Sequence, residues 1–131
     1  MVSLTAILIP LLPLLPLLTS ALPTSTSSSS TALAPRQNFG DITFYNTGLG
    51  ACGSVNNDQE LVAAVSAALF DSQSVCGRSI SVNFNGATVN VQVVDRCAGC
   101  AFGDIDLSPS AFSALTGSLD AGRVQGSWDF I

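Results

Sequence analysis

Between residues 79 and 93, hydrophobic and polar positions alternate. Ile80, Val82 and Phe84 alternate with Ser79, Ser81 and Asn83, and Val89, Val91 and Val93 alternate with Asn90 and Gln92. Successive side chains of a strand point to opposite faces, so each run predicts a strand with one apolar face. Asn85-Gly86 lies between them. A two-residue type I′ turn needs positive φ at both positions, which Asn and Gly tolerate, so the pair predicts a tight hairpin. Its second strand delivers Asp95 and Cys97 at its end.

The other elements are shorter. Phe39 to Tyr45 predicts a strand, followed by a loop from Asn46 through Gly50 that Cys52-Gly53 closes. Leu61 to Val65 is an apolar run read as a buried strand, after which Ser66 caps a short helix from Ala67 to Phe70. One helix from Asp58 to Phe70 is the competing reading, and periodicity alone does not separate the two. Ile105 to Leu107 predicts a strand. Ser108 and Pro109 then start a helix as N-cap and first helical residue, Ala111, Phe112 and Leu115 form its apolar face, and Gly117 ends it. Val124 to Ile131 predicts a last strand, with Trp128 assigned to the core. Residues 64–70 resemble residues 106–112 at a shift of 42: Ser66 matches Ser108, Phe70 matches Phe112, and each copy reads strand, Ser cap, helix. Two similar halves favour the strand reading at Leu61 and suggest a closed barrel with pseudo-twofold symmetry.

The first eighteen residues are almost all apolar and carry no charged side chain. Pro10, Pro13 and Pro16 break a spanning helix, and Thr19-Ser20-Ala21 offers the small residues a signal peptidase reads. Residues 1–21 are therefore expected to be a secretory signal peptide, with no membrane association after cleavage. Residues 22–38, rich in Ser, Thr, Ala and Pro, are expected to be a linker or propeptide. One folded domain is expected over 39–131.

Charge and residue content narrow the chemistry. The net charge is −5, with no Lys and four Arg, which argues against nucleic acid as a partner. There is no His, so Ser-His and Cys-His nucleophiles are excluded and acid–base chemistry falls to carboxylates or Tyr45. Cys52, Cys76, Cys97 and Cys100 all lie in the folded part. In a secreted chain they predict two disulfides, with three pairings open. A single Cys-x-x-Cys without His makes a metal site a poor fit, and no metal or cofactor is expected.

Asp95 and Asp106 are the candidate catalytic residues. Eleven residues apart, one ends a strand and the other sits in the next, so a returning loop lets both face one groove, as two carboxylates flank a glycosidic bond. Asp95 has two structural alternatives, an ion pair with a neighbouring Arg or a cap on the Cys97–Cys100 turn. Asp106, between Ile105 and Leu107, points away from both. Asp104 is read as a solvated loop charge. Thr43 and Tyr45 share one strand face and are candidate substrate-binding residues.

Thr43-Phe44-Tyr45, Gly50-Ala51-Cys52-Gly53, Cys76-Gly77-Arg78-Ser79-Ile80, Val94-Asp95-Arg96-Cys97, the run from Asp106 to Phe112, and the segment from Gly122-Arg123 to Trp128 together resemble the double-psi β-barrel domain of rare lipoprotein A-like proteins, expansin first domains, barwin-type proteins and family-45 endoglucanases. The resemblance implies a mostly β, six-stranded double-psi barrel with short helices, in a secreted, extracellular or cell-wall protein of fungal type, monomeric. It implies a groove for cell-wall polysaccharide (cellulose, chitin or peptidoglycan) lined by Thr43, Tyr45, Asp95 and Asp106, with Asp106 at the position on which expansin wall loosening depends. It also implies the pairs Cys52–Cys76 and Cys97–Cys100. Thr47 stands where the related endoglucanases carry their catalytic base Asp, which argues against hydrolysis. Non-hydrolytic polysaccharide binding is thus the leading expectation. A cysteine-protease inhibitor or host-interaction protein on the same barrel is the alternative, and a weak glycosidase or lytic transglycosylase ranks below it.

Overall fold

The structure, a computed structural model, describes residues 10–14, 16 and 36–131. Most of the expected signal peptide and most of the expected linker lie outside the described residues. Among the described residues no helix is long and apolar enough to cross a membrane. The chain divides into residues 1–32 and 33–131, and the fold below is that of the second unit.

Six strands and two short helices follow one another: β1 (Asn38–Phe44), β2 (Val62–Ser66), α1 (Ala67–Ser72), β3 (Ser79–Phe84), β4 (Ala87–Cys97), β5 (Ile105–Leu107), α2 (Pro109–Thr116) and β6 (Arg123–Phe130). β1 starts one residue inside the segment expected to be linker. The strands close into a barrel in the order β1-β5-β2-β4-β3-β6. Pairs β1–β5 and β2–β4 are parallel, and the other four are antiparallel. The barrel is thus the mostly β, six-stranded one that the sequence implied.

The hairpin forms as its dipeptide predicts, with φ 46° at Asn85 and 82° at Gly86. At Leu61 the strand reading holds: β2 is followed by α1, whose N-cap Ser66 accepts from the Leu69 amide. All five β2 residues are buried, and β2 pairs with β4 on one edge and β5 on the other. A strand covered on both faces shows no alternation, which is why periodicity left it open. The sequence repeat corresponds to a structural one. Ser66 and Ser108 are both fully buried and each caps a helix. Each hydroxyl also donates to a remote carbonyl, Ser66 to Phe102 and Ser108 to Glu60.

Ile42, Ala63, Val65, Ile80, Val82, Val93, Ile105, Leu107, Phe112 and Trp128 fill the interior. Trp128 is fully buried, with its indole N–H donating to the Gly103 carbonyl at 2.9 Å. Cys52 is bonded to Cys76 and Cys97 to Cys100. Closing a loop with a sequence separation of 24 stabilises the domain by about 3 kcal/mol on a chain-entropy basis. The short bridge constrains little chain entropy and instead shapes the turn after β4.

Candidate functional site

The site is built by strand register. Arg123 on β6 is paired with Thr43 on β1, Thr43 with Asp106 on β5, Asp106 with Ala64 on β2, and Ala64 with Asp95 on β4. Paired residues share a face of the sheet. Arg123, Thr43, Asp106, Ala64 and Asp95 therefore form one row across five strands, on the outside of the barrel. Asp106 and Asp95 are two strand spacings apart, roughly 10 Å between backbones.

Asp95 belongs to this row because of a bulge. Val89, Val91 and Val93 face the core, so simple alternation would send Asp95 inward as well. Between Ala63 and Ala64 of β2 the pairing jumps from Val93 to Asp95, leaving Val94 as the extra residue. That insertion inverts the alternation and turns Asp95 out, the re-aiming of a side chain that bulges achieve near binding sites.

Thr43 donates its hydroxyl to Asp106 Oδ1 at 2.8 Å. Asp106 is raised above the ordinary carboxylate range. Burial is the main cause and the Asp95 charge adds to it, while the Thr43 hydrogen bond and the Arg123 charge oppose it. The Tyr45 phenol is raised well above its ordinary value, first by burial and then by the Asp95 and Asp106 carboxylates. It therefore stays protonated and can donate a hydrogen bond. An open hollow of about 240 Å³ over the row is lined by Thr43, Asp106, Arg123, Asp41, Asp104 and the turn through Cys97, Gly99 and Cys100. Tyr45 and Asp95 are not part of this lining.

Neither structural alternative for Asp95 holds. Arg96 pairs with Asp71 on α1, through Nε at 2.9 Å and Nη2 at 2.7 Å. Asp95 Oδ1 instead accepts from the amides of Ala51 and Arg96, both at 2.8 Å, which fixes the Gly50–Gly53 loop against β4. Asp104 is not merely solvated. Its two oxygens accept from the Asp41 and Ala101 amides, stapling the returning loop to β1. Gly40 and Gly103 meet at that contact, where a Cβ on either would collide with the other strand's backbone. Thr47 is taken up by the loop: its amide donates to Asp58 Oδ1 at 2.7 Å, and its hydroxyl lies 3.0 Å from the same oxygen. These bonds, with one from Asn46, hold Asp58 below the usual carboxylate range.

Sequence reasoning missed Asp41 and Arg123, which form an ion pair in the hollow's wall. The available signal was alternation on β1, which puts Asp41 on the face of Thr43. Arg123 gave none, because its neighbour in the row comes from a strand eighty residues away. Among the described residues no group of three or more His, Cys, Asp or Glu side chains is placed to hold a metal ion.

The family profile described as lytic transglycolase, a double-psi β-barrel family, matches residues 38–128. The chain belongs to the rare lipoprotein A-like double-psi β-barrel family. Within this family it is 34% identical over 110 residues to a homologue of allergen Asp f 7 from Arthroderma benhamiae, covering 70% of this chain but only 38% of that relative. Among solved structures of the family's barrel, the Streptomyces papain inhibitor superposes with a TM-score of 0.66 at 35% identity, covering 73% of this chain and 94% of the inhibitor. An aspartate-to-asparagine mutant of Clavibacter michiganensis expansin in complex with cellohexaose gives 0.65 at 31% identity, covering 72% of this chain and 50% of the expansin.

Proposed function

We propose that this barrel is a secreted, non-hydrolytic polysaccharide-binding protein whose groove is lined by Thr43, Tyr45, Asp95 and Asp106. The observation that carries the reading is the row from Arg123 to Asp95. It sets hydroxyl, carboxylate and guanidinium groups on one outer face, with the buried Ala64 between Asp106 and Asp95, and an extended chain of sugars presents hydroxyls to such a surface at regular intervals. The likeness to an expansin whose structure holds cellohexaose supports the same occupant. Two disulfides fit an oxidising, extracellular compartment. Catalysis fits less well. Burial shifts Asp106 upward, the direction that suits a general acid, but Asp95 spends Oδ1 on two backbone amides, and Thr47 stands where the resemblance to endoglucanases puts their base.

Incubation with insoluble cellulose, chitin and peptidoglycan tests the proposal. The expected result is retention by at least one polymer without release of reducing or anhydro sugars. Protein left wholly in the supernatant with all three overturns it, and sugar release would make the barrel a lytic enzyme.

Inhibition of a cysteine protease is the second reading, and one observation favours it. Leu49 and Val55 are exposed and bridged to each other across a loop clamped by Cys52–Cys76 and by Asp95. A rigid loop presenting two apolar side chains loses little entropy on entering a cleft, and the likeness to a papain inhibitor covers almost all of that protein. Titration of papain with the purified domain is expected to show inhibition that Leu49→Ser with Val55→Ser abolishes. Full protease activity at excess domain removes the reading.

A further inference from the structure

The row of Asp95, Asp106 and Thr43 does not use a second hollow on the barrel. That hollow, about 540 Å³, opens where β3 and β6 part. The two strands pair from Ile80↔Phe130 to Asn83↔Ser127, and the pairing stops there while β6 still has four residues toward Arg123. Phe39, Asn83, Phe84, Asn85, Gln125 and Ser127 line the gap, and the remaining lining residues are glycines. None of these side chains is ionisable. Phe39 is 70% exposed.

The two hollows share a wall. Phe39, Asp41 and Thr43 alternate on β1 and so lie on one outer face, with Phe39 about 13 Å along the strand from Thr43. Asp41 lines the acidic hollow and Gln125 the neutral one. They are paired in register, and the Gln125 amide donates to Asp41 Oδ1 at 3.4 Å. A ligand leaving the acidic hollow along β1 meets Phe39 next.

We infer that this hollow is a second subsite of the same groove, holding neutral sugar rings of a glycan chain whose other end lies over Asp106. The inference rests on the polysaccharide-binding reading above. An uncharged lining matches an uncharged ligand. A purely apolar partner would strip water from the Asn85 amide, Asn83 Nδ2 and the Ser127 hydroxyl, at a desolvation cost. A pyranose satisfies both kinds of group, with its C–H face on the Phe39 ring and its hydroxyls at the amides.

The test titrates the domain with cello- and chito-oligosaccharides of two to six sugars, following affinity by calorimetry and the side-chain amide signals of Asn83, Asn85 and Gln125 by NMR. Affinity is expected to rise with length, and the longest ligand is expected to shift those signals. Phe39→Ala, a change at an exposed ring, should lower hexasaccharide affinity about fivefold and remove most of the length dependence. Asp106→Asn should weaken every length. A Phe39→Ala protein that keeps the full length dependence and the amide shifts overturns the subsite while the groove stands. No binding of any length in either series by the wild-type domain overturns the subsite together with the groove.

Discussion

Asp106→Asn is expected to lose polysaccharide binding while gaining stability at neutral pH. The binding loss follows from chemistry. A carboxylate that accepts hydrogen bonds from sugar hydroxyls contributes about 1.5–3 kcal/mol per bond, so an uncharged amide should bind roughly ten to a hundred times more weakly. The stability gain follows from the direction of the pKa shift. Burial holds Asp106 above its unfolded value in the folded protein. Its favourable contribution is therefore complete below the ordinary carboxylate pKa and is lost as pH rises through the folded value. At neutral pH the charged form remains half-buried at a net cost, and asparagine removes that charge while its Oδ1 can still accept from Thr43. The melting temperature of the variant should exceed that of the wild type at pH 7, and the gap should close in acid. Retention on polymer equal to wild type would take Asp106 out of the site. A lower melting temperature at pH 7 would show that attraction to Arg123 and Thr43 outweighs desolvation.

Trp128→Ala carries the largest expected effect on the fold. The side chain is fully buried and stacks edge-on against Phe130, with ring centroids 5.5 Å apart. Truncating a buried Trp costs about 3–5 kcal/mol through lost burial and the cavity left behind. Small domains have only about 5–15 kcal/mol in total, so the variant should sit near the edge of folding. The indole N–H also holds the Gly103 carbonyl, and with it the loop that carries Cys100 and Asp104 to the acidic hollow. Trp128→Phe keeps most of the apolar volume but leaves that carbonyl unpaired, a cost of about 1–3 kcal/mol. Urea unfolding measures both changes. Glycan binding by the folded Trp128→Phe protein should also weaken, because the loop is no longer pinned. A Trp128→Ala protein as stable as wild type would contradict this packing.

Much of the fold was legible in the chain because its signals are local. Alternation from Ser79 to Val93 needs only the period of a strand, and Asn85-Gly86 needs only the steric allowance for positive φ. Ser108, Pro109 and Gly117 mark a helix by what each does to its own backbone, and Gly117 adopts the left-handed conformation at the helix end. Alternation also put Thr43 and Asp106 on outward faces. Other features depended on partners distant in sequence. Leu61 to Ser66 had no readable period because both faces of β2 are covered. Four cysteines allow three pairings, and only the path of the chain brings Cys52 to Cys76. Asp95 is the sharpest case. Its own strand pattern directs it into the core, and the extra residue Val94 that turns it outward is defined only against Ala63 and Ala64 of β2. Sequence determined which residues could bear chemistry and which face most of them take, because those follow from side-chain type and backbone period. The tertiary structure alone decided that Arg123, Thr43, Asp106 and Asp95 form one row, because register between strands is fixed by pairing across the barrel and not by any residue's own neighbours.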